Sequence, residues 1–371
     1  GFSAEYPTLL GSYGSGARPR LLVPFNLSGV HIGGTVNFVA IIGIEFYASA
    51  RDPHSPDWNG DAPIVGQNGI MGAHSGEFLL VEDCRFRFFS YGLSFSGGTT
   101  GIFGVTVRRN IFEDGYGIMH SSQGIFTASA HNILVEENVF DRNGYIDVVP
   151  AQALGTAHYL NATRSLVIPA GFASYTWHSG DLIHIRQANQ PFCGTSVVCN
   201  VYRIASKISD HEIRLERALT SDGSDTADVW VLDSTATKFN HNIYFSNGTG
   251  IITRRNIVSR GSSHGFQVRP GGLVEDNLFA RNAYSVFVGR TDSVMRNNVV
   301  LNGRNINSFD DGGDAMAVNH LPNALVENNI VAHIMPGVSG VAFGVGSSSS
   351  DPLGRSMTVA VRNNIVWDWD G

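Results

Sequence analysis

Residues 252–300 read ITRRNIVSRGSSHGFQVRPGG, then LVEDNLFARNAYSVFVGRTDS, then VMRNNVV. One pattern is repeated in these segments: a short apolar strand, an asparagine, two apolar residues, a polar loop and a second short strand. Asn256, Asn277 and Asn298 are therefore separated by two steps of 21 residues. A fixed period of about 20 residues is typical of a solenoid in which each repeat forms one coil.

The same asparagine position recurs along most of the chain. Its occupants are Asn110, Asn138, Asn256, Asn277, Asn298, Asn329 and Asn364, with Ile44 and Cys84 at the equivalent positions of earlier coils. In a β-helix the turn at this position leaves backbone groups with few partners. An asparagine there can adopt the left-handed conformation and bond to the asparagine of the next coil. Because each unmet buried group costs about 1–3 kcal/mol, we predict a structural asparagine ladder rather than a catalytic set.

One step along the repeat is much longer than the others, because Asn138 and Asn256 are 118 residues apart. Residues 157–236 contain alternating strand patterns, such as GDLIHIRQ and HEIRLERAL, with their own turns. We therefore predict one further coil here plus a small inserted β subdomain at residues 157–236. The β-helix is then divided into an N-terminal part, residues 1–156, and a C-terminal part, residues 237–371.

The bulk composition argues against several functional classes. Of 371 residues, 15% are charged and 43 are glycine, and the formal net charge is −7. Without a basic block the chain is not expected to bind nucleic acid, and no apolar run approaches the length of about 18 residues that spans a membrane. Short Val, Ile and Phe runs between Gly, Asn and Ser residues indicate an all-β fold with tight turns. The chain starts at Gly1 without a methionine, and we expect residues to be missing at its ends.

The three cysteines differ in their surroundings. Cys193 and Cys199 bracket the polar segment FCGTSVVCN, and this spacing allows a small disulfide loop in an oxidising compartment. Two unpaired thiols are the alternative. Cys84 occupies an asparagine position of the repeat, where we expect it to be a small buried hydrophobic residue.

The coil pattern resembles that of the pectate-lyase-like superfamily of single-stranded right-handed parallel β-helices. The phrase YPTLLGSYGSGARPRLLVP, within residues 1–35, is also similar to the opening of secreted members. The resemblance implies an all-β, right-handed parallel β-helix (a solenoid), a secreted or cell-surface location, and a polysaccharide or surface glycan as partner. It does not fix the function, because many chemistries and many binding proteins share this fold.

The resemblance also implies that the first strand of each coil lines a substrate groove. Alternation with a period of two predicts these strands at residues 92–97, 117–122, 145–150, 242–247, 265–270, 285–290, 315–320 and 340–345. Coils stack about 4.8 Å apart, so outward side chains form rows of neighbours. The middle of the groove is predicted to be polar and aromatic, where Asp147, His241, Tyr244, His264, Gln267 and Arg269 converge over about three successive coils. Tyr91, Tyr116 and Tyr284 are predicted to extend its floor, and Arg290 lies one coil further on.

Four members of this cluster are candidates for catalysis. His264 and His241 are the acid–base candidates, because imidazole titrates near neutral pH. Tyr244 can protonate a leaving oxygen, and Arg269 can neutralise a uronate carboxylate in a bidentate contact. The alternatives are two loop histidines bonded to backbone, a packed surface tyrosine, and an arginine paired with a nearby aspartate. The predicted substrate-binding residues are Tyr116, Asp147, Gln267, Tyr284, Phe287 and Arg290.

Motifs of specific enzyme families are mostly missing. Hydrolases of the polygalacturonase type carry adjacent aspartates before a Gly-His-Gly, whereas here SSHGF (262–266) precedes FDDGGD (309–314). This order disfavours an inverting hydrolase, which needs two carboxyl groups about 6.5–9.5 Å apart. Asp310, Asp311 and Asp314 can hold Ca²⁺ in a loop, and a solvated Gly-Asp turn is the alternative. No other cofactor is indicated.

We therefore predict an extracellular polysaccharide lyase, or a related epimerase, acting on an acidic glycan. Both reactions begin with abstraction of the proton next to the carboxylate. The alternative from another class is a non-catalytic β-helix: an adhesin, a self-assembling matrix or filament subunit, or a glycan-binding spike. The lyase hypothesis requires that the four candidate catalytic residues share one open groove.

Overall fold

The structure is a computed structural model, and it describes residues 1–24, 27–58, 67–72, 75–95, 101–117, 121–146, 155–167, 176–187, 200–219, 226–232, 235–289, 292–306, 312–319, 323–346 and 358–369. Within these ranges the one helical segment is a short 3-10 helix at Ser49–Arg51. None of the helical structure in the described part is long and apolar enough to cross a membrane.

Three long parallel sheets dominate the fold. In the described residues, sheet A contains β1 (Thr8–Gly11), β4 (Thr35–Ile42), β7 (Ser75–Glu82), β10 (Gly101–Arg108), β13 (Ala130–Glu136), β22 (Gly248–Arg254), β25 (Leu273–Glu275), β28 (Ser293–Arg296), β31 (Asn323–Glu327) and β34 (Thr358–Arg362). Sheet B contains β2 (Arg20–Leu22), β5 (Glu45–Tyr47), β8 (Arg85–Arg87), β11 (Ile111–Glu113), β14 (Val139–Asp141), β23 (Ile257–Ser259), β26 (Leu278–Ala280), β29 (Val299–Gly303), β32 (Ile330–Ile334) and β35 (Ile365–Trp367). Sheet C contains β3 (Val30–Ile32), β6 (Asn68–Gly72), β9 (Tyr91–Phe95), β12 (Gln123–Thr127), β21 (His241–Phe245), β24 (His264–Val268), β27 (Tyr284–Gly289), β30 (Asp314–Asn319) and β33 (Phe343–Gly346).

Successive strands belong to sheets A, B and C in turn, so each coil contributes one strand to each sheet. Each strand pairs in parallel with its counterpart in the next coil, as β22 does with β25 and β23 does with β26. The chain is therefore a parallel β-helix, and the all-β solenoid predicted from the 21-residue period is confirmed.

A stack of phenylalanine rings fills part of the interior. Phe46, Phe86, Phe112 and Phe140 lie on consecutive strands of sheet B, with ring centroids 4.9, 4.8 and 4.9 Å apart and nearly parallel planes. These separations match the strand spacing of about 4.8 Å, so one residue type in each coil can fill the core continuously. Facing positions on sheet C are glycines, because a Cβ on Gly92 would lie 2.6 Å from Cδ1 of Phe112.

The repeated asparagines form a hydrogen-bonded column at the turn between sheets A and B. Asn277 shows the pattern, since its Nδ2 donates to Oδ1 of Asn298 at 3.0 Å and to the carbonyl oxygen of Thr253 at 3.0 Å. Its own Oδ1 accepts from the backbone N–H and from Nδ2 of Asn256, at 3.0 and 2.9 Å. Equivalent bonds link Asn110, Asn138, Asn256, Asn277, Asn298, Asn329 and Asn364 in order along the molecule. The column therefore joins each turn to the next.

The residue in the left-handed conformation is the one before each asparagine, which corrects the expectation that the asparagine itself adopts it. Arg255, Asp276 and Asn297 have φ values of 53°, 56° and 55°, whereas Asn256 and Asn277 do not have positive φ. The residue before each of these asparagines is exposed, and the asparagine side chain is buried. The chain can therefore turn at the exposed residue while the asparagine amide stays buried in the column.

On sheet A, the residues two positions before the asparagine site of each coil form a row of side chains with alternating charge. Strand register places in order Glu82, Arg108, Glu136, Arg254, Glu275, Arg296, Glu327 and Arg362. Neighbours pair across coils, with Arg296 Nη2 2.7 Å from Glu275 Oε2. Each partly exposed pair contributes little by itself. Like charges on directly neighbouring strands are destabilising, however, so the alternation favours this order of coils.

Six further strands form a closed antiparallel barrel with a hydrophobic core of its own. They are β15 (Gly155–Leu160), β16 (Ser165–Val167), β17 (Leu182–Gln187), β18 (Asn200–Ser209), β19 (Glu212–Leu215) and β20 (Thr226–Leu232). These strands fall in the segment where the sequence predicts an inserted β subdomain. Leu182 and Val201 join the core cluster of the β-helix, so the barrel packs against it.

Thr235 ties together the two chain segments that flank the barrel. Its Oγ1 accepts the backbone N–H of Ile146 at 3.0 Å and donates to the carbonyl oxygen of Gly144 at 3.1 Å. Thr235 is 0% exposed, so these bonds are shielded from water. The chain therefore leaves and rejoins the β-helix at one place, directly before strand β21.

The predicted disulfide between Cys193 and Cys199 lies outside the described residues. Cys84 is a free thiol and is 0% exposed, as expected for a small buried residue in the repeat. Its backbone N–H donates to Oδ1 of Asn110 at 2.9 Å, which extends the asparagine column by one coil. Burial raises the pKa of the Cys84 thiol to about 11, so this thiol stays protonated at neutral pH.

Replacing Asn277 with alanine is expected to lower the free energy of unfolding by at least about 2 kcal/mol, because Asn256 and the Thr253 carbonyl lose buried partners. The measurement is the shift of the urea midpoint at unchanged slope. The matched control is Asn323→Ala, which removes an exposed asparagine bonded to Asp292. Equal midpoints for the two variants would show that the column does not contribute as described.

Candidate functional site

A cavity of about 640 Å³ opens over the middle of sheet C. Strands β12, β21, β24, β27 and β30 supply most of its lining, and the segment after the barrel supplies Lys238 and Phe239. The described lining residues are Ser121, Gln123, Lys238, Phe239, His241, Tyr244, His264, Gln267, Arg269, Tyr284, Val286, Phe287, Asp314 and Ala317. We call this cavity the central pocket.

Strand register arranges the side chains of sheet C in two rows. The first row is Tyr91, Gln123, His241, His264, Tyr284 and Asp314, and the second row is Ser94, Phe126, Tyr244, Gln267, Phe287 and Ala317. Each side chain therefore has its closest row neighbours on the preceding and following coils, whatever their separation in sequence.

The predicted rows are wrong at the strand between β9 and β21, which is β12. The sequence predicts two strands there, at residues 117–122 and 145–150, whereas β12 covers Gln123–Thr127 and pairs with both β9 and β21. Gln123 and Phe126 consequently hold the row positions between the two neighbouring strands. The alternation in Gln-Gly-Ile-Phe-Thr resembles that of the residues just before it, so a period of two cannot choose between them.

Tyr116 is not a groove residue, and its predicted role in substrate binding is wrong. Its side chain is 0% exposed, and its hydroxyl donates to the carbonyl oxygen of Arg51 at 2.7 Å. The guanidinium of Arg51, also 0% exposed, lies 4.3 Å from the ring centroid and donates through Nε to the Phe88 carbonyl at 2.7 Å. Tyr116 and Arg51 therefore pack together in the interior, next to the turn that precedes β12.

Aromatic rings form a continuous file over five strands of sheet C. We define the ring file, in spatial order, as Tyr91, Phe126, Tyr244, His241, His264 and Tyr284. The successive ring centroids are 5.9, 5.6, 5.2, 5.0 and 4.9 Å apart. The file begins in the first row at Tyr91, passes to the second row at Phe126 and Tyr244, and returns to the first row at His241. Phe287 also contacts His264 edge to face, at 6.1 Å.

Hydrogen bonds fix the tautomer of His264. Ser263 Oγ lies 2.9 Å from the carbonyl oxygen of Lys238 and 3.1 Å from Nδ1 of His264. A carbonyl oxygen only accepts, so the one hydroxyl proton of Ser263 goes to Lys238. Ser263 Oγ must then accept a proton from His264 Nδ1, which leaves Nε2 of the neutral imidazole with a free lone pair. His264 is thus set up to accept a proton at Nε2.

Both histidines of the ring file are held in the neutral form. Burial, with the positive charge of Arg269, lowers the pKa of His264 to about 4. Burial also lowers the pKa of His241 well below its ordinary value, with further contributions from His264 and Arg269. His241 is 6% exposed, whereas His264 is partly exposed towards the central pocket. His264 is therefore the more accessible base.

The charged groups of the central pocket are mainly cationic. The guanidinium of Arg269 lies 4.9 Å from the ring centroid of Tyr244, and Lys238 is exposed at the rim. Within the described residues, no carboxylate forms an ion pair with Arg269. Asp314 is the one carboxylate among the described lining residues, and its Oδ1 accepts the backbone N–H of Val341 at 3.0 Å. This balance suits an anionic ligand.

Three buried polar atoms of the central pocket have no hydrogen-bond partner within the described residues. They are Gln123 Oε1, His241 Nδ1 and Gln267 Oε1. The three residues are 4%, 6% and 8% exposed. Leaving such atoms unpaired costs stability, which a protein accepts most readily where a ligand or water completes the bonding.

A second group of asparagines positions strand β21, which carries His241 and Tyr244. Asn240 Oδ1 accepts the backbone N–H of Ser122 at 2.9 Å, and Asn242 Oδ1 accepts from Nδ2 of Asn143 at 2.7 Å. All three asparagines are at most 4% exposed. Strand β21 is thereby bonded to the coil before the barrel although 118 residues separate Gln123 from its partner His241.

Most of the predicted site residues meet in the central pocket. The structure brings together His241, Tyr244, His264, Gln267, Arg269, Tyr284, Phe287 and Asp314. Asp147, Arg290, Asp310 and Asp311 lie outside the described residues, so their predicted roles stay predictions. Among the described residues no three His, Cys, Asp or Glu side chains form a candidate metal-binding group.

Sequence reasoning missed four of the described lining residues, namely Gln123, Lys238, Phe239 and Val286. Gln123 follows from the position of β12, which the alternation did not fix. Lys238 and Phe239 lie at the end of the insertion, where no repeat predicts their position. The Asn-His-Asn sequence at 240–242 was the one local signal, because buried asparagines flank a row position there.

Comparison with known proteins adds little about activity. No protein-family model matches the chain, and no curated protein matches it. A crystal structure of the GH136 lacto-N-biosidase from Eubacterium ramulus, native protein, is similar with a TM-score of 0.41 and 10% sequence identity. The match covers 98% of this chain and 58% of that chain. At this score and identity the likeness carries no argument about function.

Replacing Ser263 with alanine is expected to remove the preference of His264 for the Nδ1–H tautomer, because Nδ1 loses its hydrogen-bond acceptor. Nitrogen chemical shifts of the imidazole should report the Nδ1–H form in the native protein and a mixture in Ser263→Ala. Ser263→Thr keeps the hydroxyl and is the control. A native spectrum dominated by the Nε2–H form would contradict the assignment.

Acid is expected to destabilise the protein in a defined window. The pKa of His264 is lowered to about 4 in the folded state, against about 6.5 in an unfolded chain. The unfolded state therefore binds more protons below about pH 6.5, and stability falls as the pH drops from about 6.5 towards 4. The slope of unfolding free energy against pH should be smaller in His264→Gln. An NMR titration midpoint of His264 near 6.5 would contradict the burial argument.

Proposed function

We propose that this protein is a carbohydrate-active enzyme that cleaves an acidic polysaccharide by β-elimination. The proposal is based on two residues that line the same open pocket. His264 has a free lone pair on Nε2, and Arg269 has no counter-ion among the described residues. A base and a carboxylate-binding cation are the two groups that removal of a proton next to a uronate carboxylate requires.

Arg269 receives the uronate carboxylate in this proposal. Its guanidinium lies over the face of Tyr244, which leaves the planar edge free for a bidentate contact. Neutralising the carboxylate stabilises the negative charge that develops when the neighbouring C5 proton is removed. Gln267 lies beside Tyr244 in the second row, and its buried amide can bond to a hydroxyl of the same sugar.

The elimination can be written with every proton assigned. Nε2 of His264 takes the C5 proton, and the electron pair of that C–H bond forms a double bond between C4 and C5. The bond from C4 to the bridging oxygen breaks, and the Tyr244 hydroxyl gives its proton to that oxygen. Transfer of a proton from the His264 imidazolium to the Tyr244 phenolate through solvent restores both groups. His241, stacked 5.0 Å behind His264, holds the ring in position.

The low pKa of His264 is compatible with this role. Arg269 contributes to that lowering because its positive charge disfavours the imidazolium. A bound carboxylate offsets the charge of Arg269, so the proton affinity of His264 rises when substrate is present. The free enzyme thus keeps its base unprotonated, and the complex makes it a stronger base.

The available carboxylates favour elimination over hydrolysis. Glycoside hydrolases commonly use two carboxyl groups on either side of the scissile bond. Asp314 is the one carboxylate that the described part of the pocket supplies. An epimerase shares the first step but returns the proton to the opposite face of C5 without breaking the C4–oxygen bond. We further propose a right-handed winding of the coils and an extracellular location, where polymeric acidic glycans occur.

The test is incubation of the purified protein with alginate, pectate and glycosaminoglycans, with detection of unsaturated products by their ultraviolet absorbance. We expect His264→Gln to lower kcat/KM by about 100-fold or more, as loss of a general base does, and Arg269→Ala to lower it similarly. Arg362→Ala, which changes an exposed arginine on sheet A, is the matched control and should act like the native enzyme.

Other outcomes separate the alternatives. Formation of the C5 epimer with deuterium taken from the solvent, without an unsaturated product, would establish an epimerase. Binding of a polysaccharide with neither exchange nor cleavage would support the non-catalytic alternative, a glycan-binding spike or adhesin. No binding and no turnover with any acidic glycan would refute the proposed function.

A further inference from the structure

The ring file extends beyond the central pocket towards the N-terminal coils. Phe126 and Tyr91 are its last two members, and neither of them lines the pocket. Both side chains are partly exposed. The hydroxyl of Tyr91 is 2.7 Å from Oγ of Ser121, which does line the pocket. We call Tyr91 and Phe126 the aromatic platform.

On the other side of the pocket, the described row positions beyond β27 hold no aromatic side chain. Beyond Phe287 the second row continues as Ala317 and then Gly344. In the first row Tyr284 is followed by Asp314. Among the described row positions, aromatic side chains therefore reach one coil from β24 in the direction of β27, and three coils in the direction of β9.

The aromatic platform combines apolar faces with polar edges. The rings of Phe126 and Tyr91 are partly exposed. The Tyr91 hydroxyl lies 2.7 Å from Oγ of Ser121, and Gln123, with its buried Oε1, is the neighbour of Tyr91 in the first row. A pyranose ring has a matching character, with an apolar face of C–H groups and hydroxyls around its edge. Stacking on the ring faces removes apolar area from water, and the edge hydroxyls can meet the polar groups.

We propose that the aromatic platform binds the sugars of the substrate chain that do not react. The polysaccharide then runs along the axis of the β-helix, with its reacting uronate between His264 and Arg269 and its continuation over Phe126 and Tyr91. This inference rests on the proposed function and specifies its substrate as a polymer. From β24 to β9 there are three coil steps, or roughly 14 Å, which is longer than a single sugar ring.

Binding energy from the platform is remote from the reacting bond. Such energy positions a long chain and distinguishes it from a short one, because only a long chain reaches both places. The protein should therefore favour oligomers long enough to occupy the platform. It should cleave within chains rather than release single sugars from an end.

The experiment measures binding of size-fractionated uronic acid oligomers from alginate and pectate by calorimetry, in a His264→Gln background that prevents turnover. In that background the affinity should rise with oligomer length. Phe126→Ala should reduce the ratio of long-chain to short-chain affinity by about tenfold, the loss expected for one sugar face returned to water. Tyr91→Ala should act in the same direction, and Tyr91→Phe should retain most of the effect of length.

Phe103→Ala is the matched control, because Phe103 is an aromatic residue on sheet A that is 45% exposed. It should leave the length dependence unchanged, and thermal midpoints should establish that every variant is folded. Equal affinity ratios for His264→Gln alone and for His264→Gln combined with Phe126→Ala would overturn the platform. Cleavage of a polysaccharide by the native enzyme with no length dependence would do so as well, while leaving the proposed function intact. Length-dependent binding without any cleavage would support the platform and count against the lyase.

Discussion

The hydrogen-bonded asparagine column is the constraint on which the rest of the structure depends. Each asparagine donates to the next one and to the backbone of the coil before it, so the turns between sheets A and B are fixed in height and register. Sheet C follows in each coil, and its side chains therefore fall in rows. Gln123 and His241 become neighbours in this way although the barrel separates them along the chain.

The chemistry of the central pocket arises from burial acting on this regular frame. Two imidazoles lie stacked at the wall of the pocket, and burial lowers the pKa of both. Ser263 and the carbonyl of Lys238 determine which nitrogen of His264 is free. Arg269 lies over the ring of Tyr244 and supplies a positive charge that no described carboxylate pairs with. Together with the buried polar atoms that have no partner within the described residues, this charge fits a place that binds an anionic ligand.

The positions of the site residues could be predicted where the repeat is uninterrupted, and not where an insertion breaks it. From β21 to β27 no insertion interrupts the coils, and the predicted outward positions Tyr244, Gln267 and Phe287 are neighbours in the structure. Before the barrel the repeat lengthens and the alternation fits more than one frame. The sequence therefore suggested Tyr116 for the groove, where the structure has Gln123 and Phe126 on β12 and Tyr116 in the interior.

The sequence by itself determined the solenoid, its asparagine turns and the outward positions of the C-terminal coils, because these depend on a short period and on local backbone chemistry. Only the tertiary structure decided which atoms make the site reactive. The tautomer of His264 depends on the Lys238 carbonyl, and its pKa depends on burial and on Arg269. The order of the ring file depends on which strand follows which across the barrel. These properties arise from contacts between residues far apart in the chain, which no local pattern encodes.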